Sequence, residues 1–344
     1  MTFKARFLLL VTPLICFTAA FSQQINQPQP PTMPTLKLDV VVTPKSGTPV
    51  ANLRQQDFKV LDNKVPQPIT SFQAVAGDQV PVEVVIVIDS VNTGYQQIAF
   101  ERIEIDKLLR ANGGHLAHPT TLAILGDKGI QIQESFSTDG NAIATALDSY
   151  TVGLRTLTRS AQYGGQERFQ ISLDALQRLA VNEADKPGRK FILWVSPGWP
   201  ILSGPRLDIS TETRHRLFSS IVAFSNQLRL AQITLYAVNP LGVDEGIGRA
   251  QYYQEYVKGV SDPNKTEIGN LALQVLATQS GGLVLSSTGV TELLQQCIAD
   301  ANAYYEISFK ALPAEKPNEY HHIEVQMTQP GLIARTTQGY YAQP

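Results

Sequence analysis

The sequence predicts an α/β fold, doubly wound about a mostly parallel six-stranded sheet with one antiparallel edge strand, beside a small β module built from the N- and C-terminal segments. Three observations lead there. The stretch Val82–Asp89, VEVVIVID, is rich in β-branched residues and lacks polar alternation, as expected of a strand buried on both faces of a parallel sheet. From there to about residue 303, strand-like and helix-like stretches alternate, which is the sequence signature of crossover units. Outside those limits the pattern is short β runs broken by turn signals.

The strands are read at 82–89, 120–126, 129–136, 190–196, 231–238 and 282–286. Asp127-Lys128-Gly129 makes a tight hairpin between the second and third, so that pair is antiparallel, and the others need crossover helices. Those helices fall at 95–111, 139–150, 167–182, 210–229, 266–279 and 289–303, the second opening on Asp139 as N-cap. The β runs at 36–76 and 304–342 are each too small to bury a face alone and are expected to pair with each other. The α/β part spans 80–303.

The first 22 residues read as a leader: Lys4 and Arg6, then the apolar run FLLLVTPLICFTAA, then Ala20-Phe21-Ser22 as a cleavage site. A secreted or periplasmic chain beginning near Gln23 is expected, with no transmembrane segment. Residues 23–35, rich in Gln and Pro, read as a spacer. Without the leader, 26 basic residues face 30 acidic ones, and no basic stripe is present, so nucleic acid is not expected as a partner. Cys297 is then the only cysteine, which rules out an internal disulfide, and its helical spacing with Leu293, Leu294 and Ala301 marks it as core.

In open α/β sheets the ligand crevice lies beyond the carboxyl ends of the strands, which singles out Asp89 and the polar residues after it. Taken together, the strand ending in Asp89, the hairpin, FSTD before a helix, ITLYAVNPLGV and ATQSGGLVLSS resemble a von Willebrand factor A (VWA) domain, with its Rossmann-type topology. With VVVTPKSGTPVANLRQQDFKVLDNKVPQPITSF before it and YYEISF and GYYA after it, the chain is similar to bacterial secreted VWFA-related proteins. That resemblance implies a protein-binding, adhesion-type module with a metal-ion-dependent adhesion site. Its parts are a D-x-S-x-S run, a threonine from a later loop and a second aspartate after the fourth strand.

Here the run is Asp89-Ser90-Val91-Asn92-Thr93, so Val91 offers no oxygen, and Ser196 stands where the second aspartate belongs. The threonine position falls near Gln170, and Glu167 and Asp244 lie on neighbouring loops. One carboxylate about 4 Å from a divalent ion contributes on the order of 8 kcal/mol of gross attraction at an effective dielectric of about 20, so losing one is a large change. The expectation is a degenerate site with no cofactor, or at most weak Mg²⁺ or Ca²⁺ at Asp89 and Thr93. The residues alone equally allow Asp89 to accept hydrogen bonds from its own loop or to cap the next helix.

The ligand-binding rim is then read as Asp89, Asn92, Thr93 and Ser196, with Trp199, Tyr252 and Tyr253, helped by Tyr256, as aromatic anchors for a protein or peptide. Those aromatics equally suit packing of their own loops. A structural scaffold with a vestigial rim is the alternative. A serine hydrolase using Ser196, His215 and Asp208 is a third reading, opposed by Pro197 and by the missing G-x-S-x-G turn. His115 and His118 form a poor zinc pair, and His321-His322, on opposite faces of a strand, read as solvated.

Overall fold

A computed structural model describes residues 34–77, 82–150, 163–200, 209–242 and 252–344. The leader, most of the spacer, Asp208 and Asp244 lie outside them.

The central sheet uses β5 (Val82–Asp89), β6 (His115–Gly126), β7 (Gly129–Ile132), β8 (Ser137–Asp139), β9 (Arg189–Val195), β10 (Ile233–Asn239) and β11 (Val284–Ser286). Its spatial order is β11-β10-β9-β5-β6-β7, with β11 through β6 mutually parallel and β7 antiparallel at the edge. Numbered along the chain, that is the doubly wound order 3-2-1-4-5-6. The sheet is one strand larger than the sequence suggests: β8 adds to β6 through His115↔Asp139 and Thr120↔Ser137. This happens because β6 begins five residues earlier than its apolar run and so has an edge to offer.

Helices α1 (Tyr95–Arg110), α2 (Gly140–Ser149) and α6 (Val290–Ile298) cover one face. Ile98, Ile105, Ile143, Leu147, Leu294 and Cys297 bury there against Ile86 and Ile88. The other face carries α3 (Tyr163–Ala184), α4 (Thr211–Leu230) and α5 (Leu273–Gln279), with Leu173, Leu176, Ile221, Phe224 and Leu276 against Val85, Val87 and Trp194. Alternation along β5 therefore sends Asp89, like Val87, to the α3 side. Asp139 caps α2, accepting from the Ala142 N–H at 3.1 Å. The reading of one helix over 266–279 divides into a 3-10 turn at Ile268–Leu271 and the short α5.

The two ends of the described chain interleave in two four-stranded sheets. One has the order β14-β1-β12-β4 and the other β15-β13-β2-β3. Their strands are β1 (Thr35–Pro44), β2 (Phe58–Asp62), β3 (Val65–Gln67), β4 (Ile69–Ala76), β12 (Ala303–Lys310), β13 (Glu319–Met327), β14 (Leu332–Arg335) and β15 (Gly339–Ala342). Leu38, Val40, Phe58, Tyr305, Ile307, Phe309 and Ile323 form their shared core.

His321 departs from the solvated reading, because β13 turns it into that core while His322 stays exposed. Its Nδ1 lies 2.9 Å from Asp62 Oδ1, and the Tyr340 hydroxyl donates to Asp62 Oδ2 at 2.8 Å. A buried charge is tolerated only with such partners. A second polar cluster fixes these sheets to the base of the central one. Arg335 grips both oxygens of Asp300 at 2.8 Å, Tyr236 donates to Asp300 at 2.7 Å, and the Arg189 guanidinium stands 3.7 Å from Asp39.

Among the described strands, removing residues 304–344 takes from β1 both of its neighbours, from β4 its one neighbour β12, and from β2 its partner β13. Limited proteolysis of that truncation is expected to cut rapidly within residues 36–76, where the full chain resists. An unchanged cleavage pattern would contradict the pairing.

Candidate functional site

Ligand crevices of doubly wound sheets open where the strand order reverses, and here that point lies between β5 and β9. Asp89 ends β5, and Ser196 follows β9. In the register of the pair, Val87 lies beside Trp194 and Ile88 beside Val195, so the Trp194 side chain stands next to Asp89 on the α3 face.

Asp89 is fully buried. Its Oδ1 accepts from the backbone N–H of Val91 at 3.1 Å and of Asn92 at 2.9 Å. Its Oδ2 accepts from Asn92 Nδ2 at 2.7 Å and from the Trp194 indole N–H at 3.0 Å. Asn92 Nδ2 also donates to Ser172 Oγ on α3 at 2.9 Å, joining the loop to that helix. Burial raises the Asp89 carboxyl above its ordinary range, opposed by the hydrogen bonds of Asn92, Trp194 and Ser196.

The fit of a metal ion is decided by these donors. A carboxylate offers about four lone-pair sites, and here four N–H groups meet them, with the Ser196 hydroxyl as a further partner. Val91, where the family run has an oxygen, is buried among Val87, Trp194 and the α3 residues. Asn92 Oδ1 and Thr93 Oγ1 are buried without partners, but both are neutral and bring no charge to a cation. Among the described residues no group of three His, Cys, Asp or Glu converges as a ligand set. The described residues around Asp89 do not fit a divalent ion. Asp89 is instead the acceptor that organises its own loop, while α1 starts later with Gly94 as N-cap.

The aromatic anchors are placed differently from expectation. Trp199 is buried, edge-on to Trp194 at 5.2 Å between ring centres and to Phe169 at 6.5 Å. Gly198, at φ +114°, takes a backbone conformation that favours glycine immediately before it. Tyr253 is half-buried in the 3-10 turn Tyr252–Glu255, and the side chain of Tyr252 lies outside the described residues. The Tyr256 ring lies so close over Gly269 that a Cβ there would come within 2.7 Å of it, and its hydroxyl donates to Glu267 at 3.1 Å. Trp199 and Tyr256 hold their own loops down. Exposed apolar side chains at this end are Tyr95 on the first turn of α1, 70% accessible, and Leu241 after β10, 47% accessible. Gln97 Nε2 donates to Pro240 O at 3.3 Å, which keeps the two regions adjacent.

Gln170 is exposed and donates to Asp174, Glu167 is exposed, and the α3 residue that reaches the site is Ser172. Ser196 is buried with its Oγ accepting from Gly198 N–H, whereas His215 is exposed and contacts Asn264. Sequence reasoning passed over Trp194, whose N–H needs an acceptor once buried. It also passed over Glu101. That α1 side chain is fully buried with neither oxygen hydrogen-bonded, and burial, then the charge of Asp89, push its carboxyl up to about 9.

No family model matches the chain, and no curated protein matches it. Solved structures similar to it include proximal thread matrix protein 1 from the mussel byssus, at 11% identity and TM-score 0.40, covering 70% of this chain. The chain spans about half, 51%, of that mussel protein. The manganese-loaded TRAP protein of Plasmodium vivax is similar at 10% identity and TM-score 0.35, covering 78% of this chain and 96% of that one. The SpRpn10 VWA domain follows at 10% identity and TM-score 0.32, covering 64% and 97%. The architecture itself is carried by the strand order.

Glu101 yields a test. Between pH 4.5 and about 9 the folded chain holds its proton and the unfolded chain releases it. Stability therefore falls by about 1.4 kcal/mol per pH unit across that window, and Asp89 adds in the same direction. By pH 7 the Glu101 contribution is about 3 kcal/mol. Glu101→Gln is expected to gain about that much in urea denaturation at pH 7 and to show a flatter profile from pH 5 to 8. Equal slopes in both proteins would contradict the assignment.

Proposed function

We propose that this chain is a secreted or periplasmic, non-enzymatic VWA-type module that binds another protein at the carboxyl rim of its sheet, without help from a metal ion. The observation that carries the reading is the closure of Asp89 by four N–H donors at the point where such sheets hold ligands. A carboxylate so engaged neither recruits a cation nor acts as a base, which leaves shape and apolar contact as the means of recognition. Tyr95 and Leu241 supply that contact, in the place first given to Trp199 and the 252–256 tyrosines. The proposed division is an α/β body at 80–303 with residues 36–76 and 304–342 as its β module.

The described residues contain no helix long and apolar enough to cross a membrane. The alternative of a structural scaffold gains support from one feature, the side of β4 that no described strand pairs.

The test is capture of a cross-linked partner from the native extracytoplasmic fraction. Chelator is expected to leave capture unchanged, and Tyr95→Ser with Leu241→Ser is expected to weaken it at least about tenfold. Loss on chelation with no effect of the double substitution would overturn the reading.

A further inference from the structure

Helices α3 and α4 cover the same face of the central sheet. Each runs from the carboxyl rim to the start of the strand that follows it, α3 into β9 and α4 into the neighbouring β10. Packed helices normally fill the seam between them with interdigitating side chains. Here the seam is left partly empty. On α4 its positions are Thr213, Leu217, Ser220 and Phe224, one face of the helix by their spacing, and the small Ser220 falls between the two large residues. On α3, Phe169 and Leu173 alternate with Gln166, Gln170 and Gln177. What remains between the helices is a groove of about 560 Å³.

Phe169, Leu173, Phe224 and Leu271 are buried along its floor, whereas Gln170, Asp174 and Arg216 are exposed on its banks. An apolar floor with a few polar groups is the usual make-up of a small-molecule site of this volume. The lining reaches from residue 166 to 177 on α3 and from 213 to 224 on α4, about 16 Å of each helix. Spread over that length, the volume leaves a channel about 6 Å across, room for one extended chain. The two charged banks differ in what they have left to offer. Asp174 already accepts from Gln170 Nε2 at 2.8 Å. Arg216, nearer the rim end, donates to Thr213 Oγ1 at 3.3 Å and stands 4.0 Å from the exposed Glu212, a pairing that contributes little. Most of its five donors are thus left for an anion.

We propose that the groove between α3 and α4 is a binding site for a free linear aliphatic carboxylate. Its chain lies on Phe169, Leu173, Phe224 and Leu271, and its carboxylate meets the Arg216 guanidinium at the rim end. A long apolar channel under a cationic group is complementary in shape and in charge to an anionic amphiphile, and the guanidinium fork suits a carboxylate. The groove lies on the face of the sheet opposite α1 and its Tyr95, so the proposal is independent of the rim reading.

The test titrates the chain from Gln23 onward with dodecanoate, dodecylamine and butanoate below micelle formation. Tryptophan emission is the readout, because Trp199 stands edge-on to Phe169 and Trp194 to Trp199, and these are the two tryptophans of the chain. Dodecanoate is expected to saturate at one per chain with a dissociation constant below about 100 μM, and the amine and the short acid to bind at least about tenfold more weakly. Ser220→Phe, which fills the groove, should weaken dodecanoate at least about tenfold. Arg216→Glu, at an exposed position that leaves the fold intact, should make the amine bind better than the acid. Tyr95→Ser with Leu241→Ser should change nothing. No saturation by dodecanoate up to about 1 mM would overturn the proposal, whether or not anionic phospholipid vesicles bind. So would an acid preference that survives Arg216→Glu, or binding lost in the Tyr95 and Leu241 variant.

Discussion

The fold turns on how one buried carboxylate is satisfied. Asp89 lies at the reversal of strand order with no access to solvent, and an unpaired charge there would cost several kcal/mol. Four N–H donors from three residues meet it. Two are backbone groups of its own loop, which shape the turn into α1. A third, from Asn92, extends to Ser172 and ties α3 to the rim. The fourth, from Trp194, couples β5 to β9 and gives the buried indole the acceptor it needs. With the lone pairs committed, Val91 is free to be apolar and packs into the core. Trp199 can then fold over Trp194. The rim is closed chemically from within.

The opposite end of the sheet is held by a comparable device with a different purpose. Asp300, Arg335, Tyr236 and Arg189 form a buried cluster at the base of the parallel strands, joining the terminal β strands to β9 and β10. The Asp62, His321 and Tyr340 cluster does the same for β2, β13 and β15 within one sheet of the module. Each contains a charge that is stable only when all its partners are present. Residues more than two hundred positions apart are thereby made to depend on one another.

Much of this could be read from the chain. Val82–Asp89 ends in the structure where its apolar β-branched run ends, because Val84–Ile88 are buried on both faces and the polar loop begins right after them. The Asp127-Lys128 hairpin and the Asp139 cap follow from turn and cap chemistry that acts over a few residues. What the sequence could not supply was the direction of side chains after a reversal. The sequence shows Trp199 next to a strand end, where an anchor is expected, but not the buried contact with Trp194 that the fold gives it. His321 looked solvated because its partner Asp62 is 259 residues away. The family motif singles out Thr93, whereas the way Asp89 is satisfied depends on a Trp194 register that no local pattern reveals.

The most direct measurement is the thermal midpoint of the wild type and of Asp89→Ala, each with chelator and with millimolar Mg²⁺, Ca²⁺ or Mn²⁺. A cation bound to the folded state at 100 times its dissociation constant would add about 2.7 kcal/mol and raise the midpoint visibly. The account predicts a wild-type midpoint that ignores the ions. It also predicts a fall of several degrees in Asp89→Ala, where Trp194 and Asn92 lose their acceptor. A cation-dependent rise in the wild type that disappears in Asp89→Ala would contradict it.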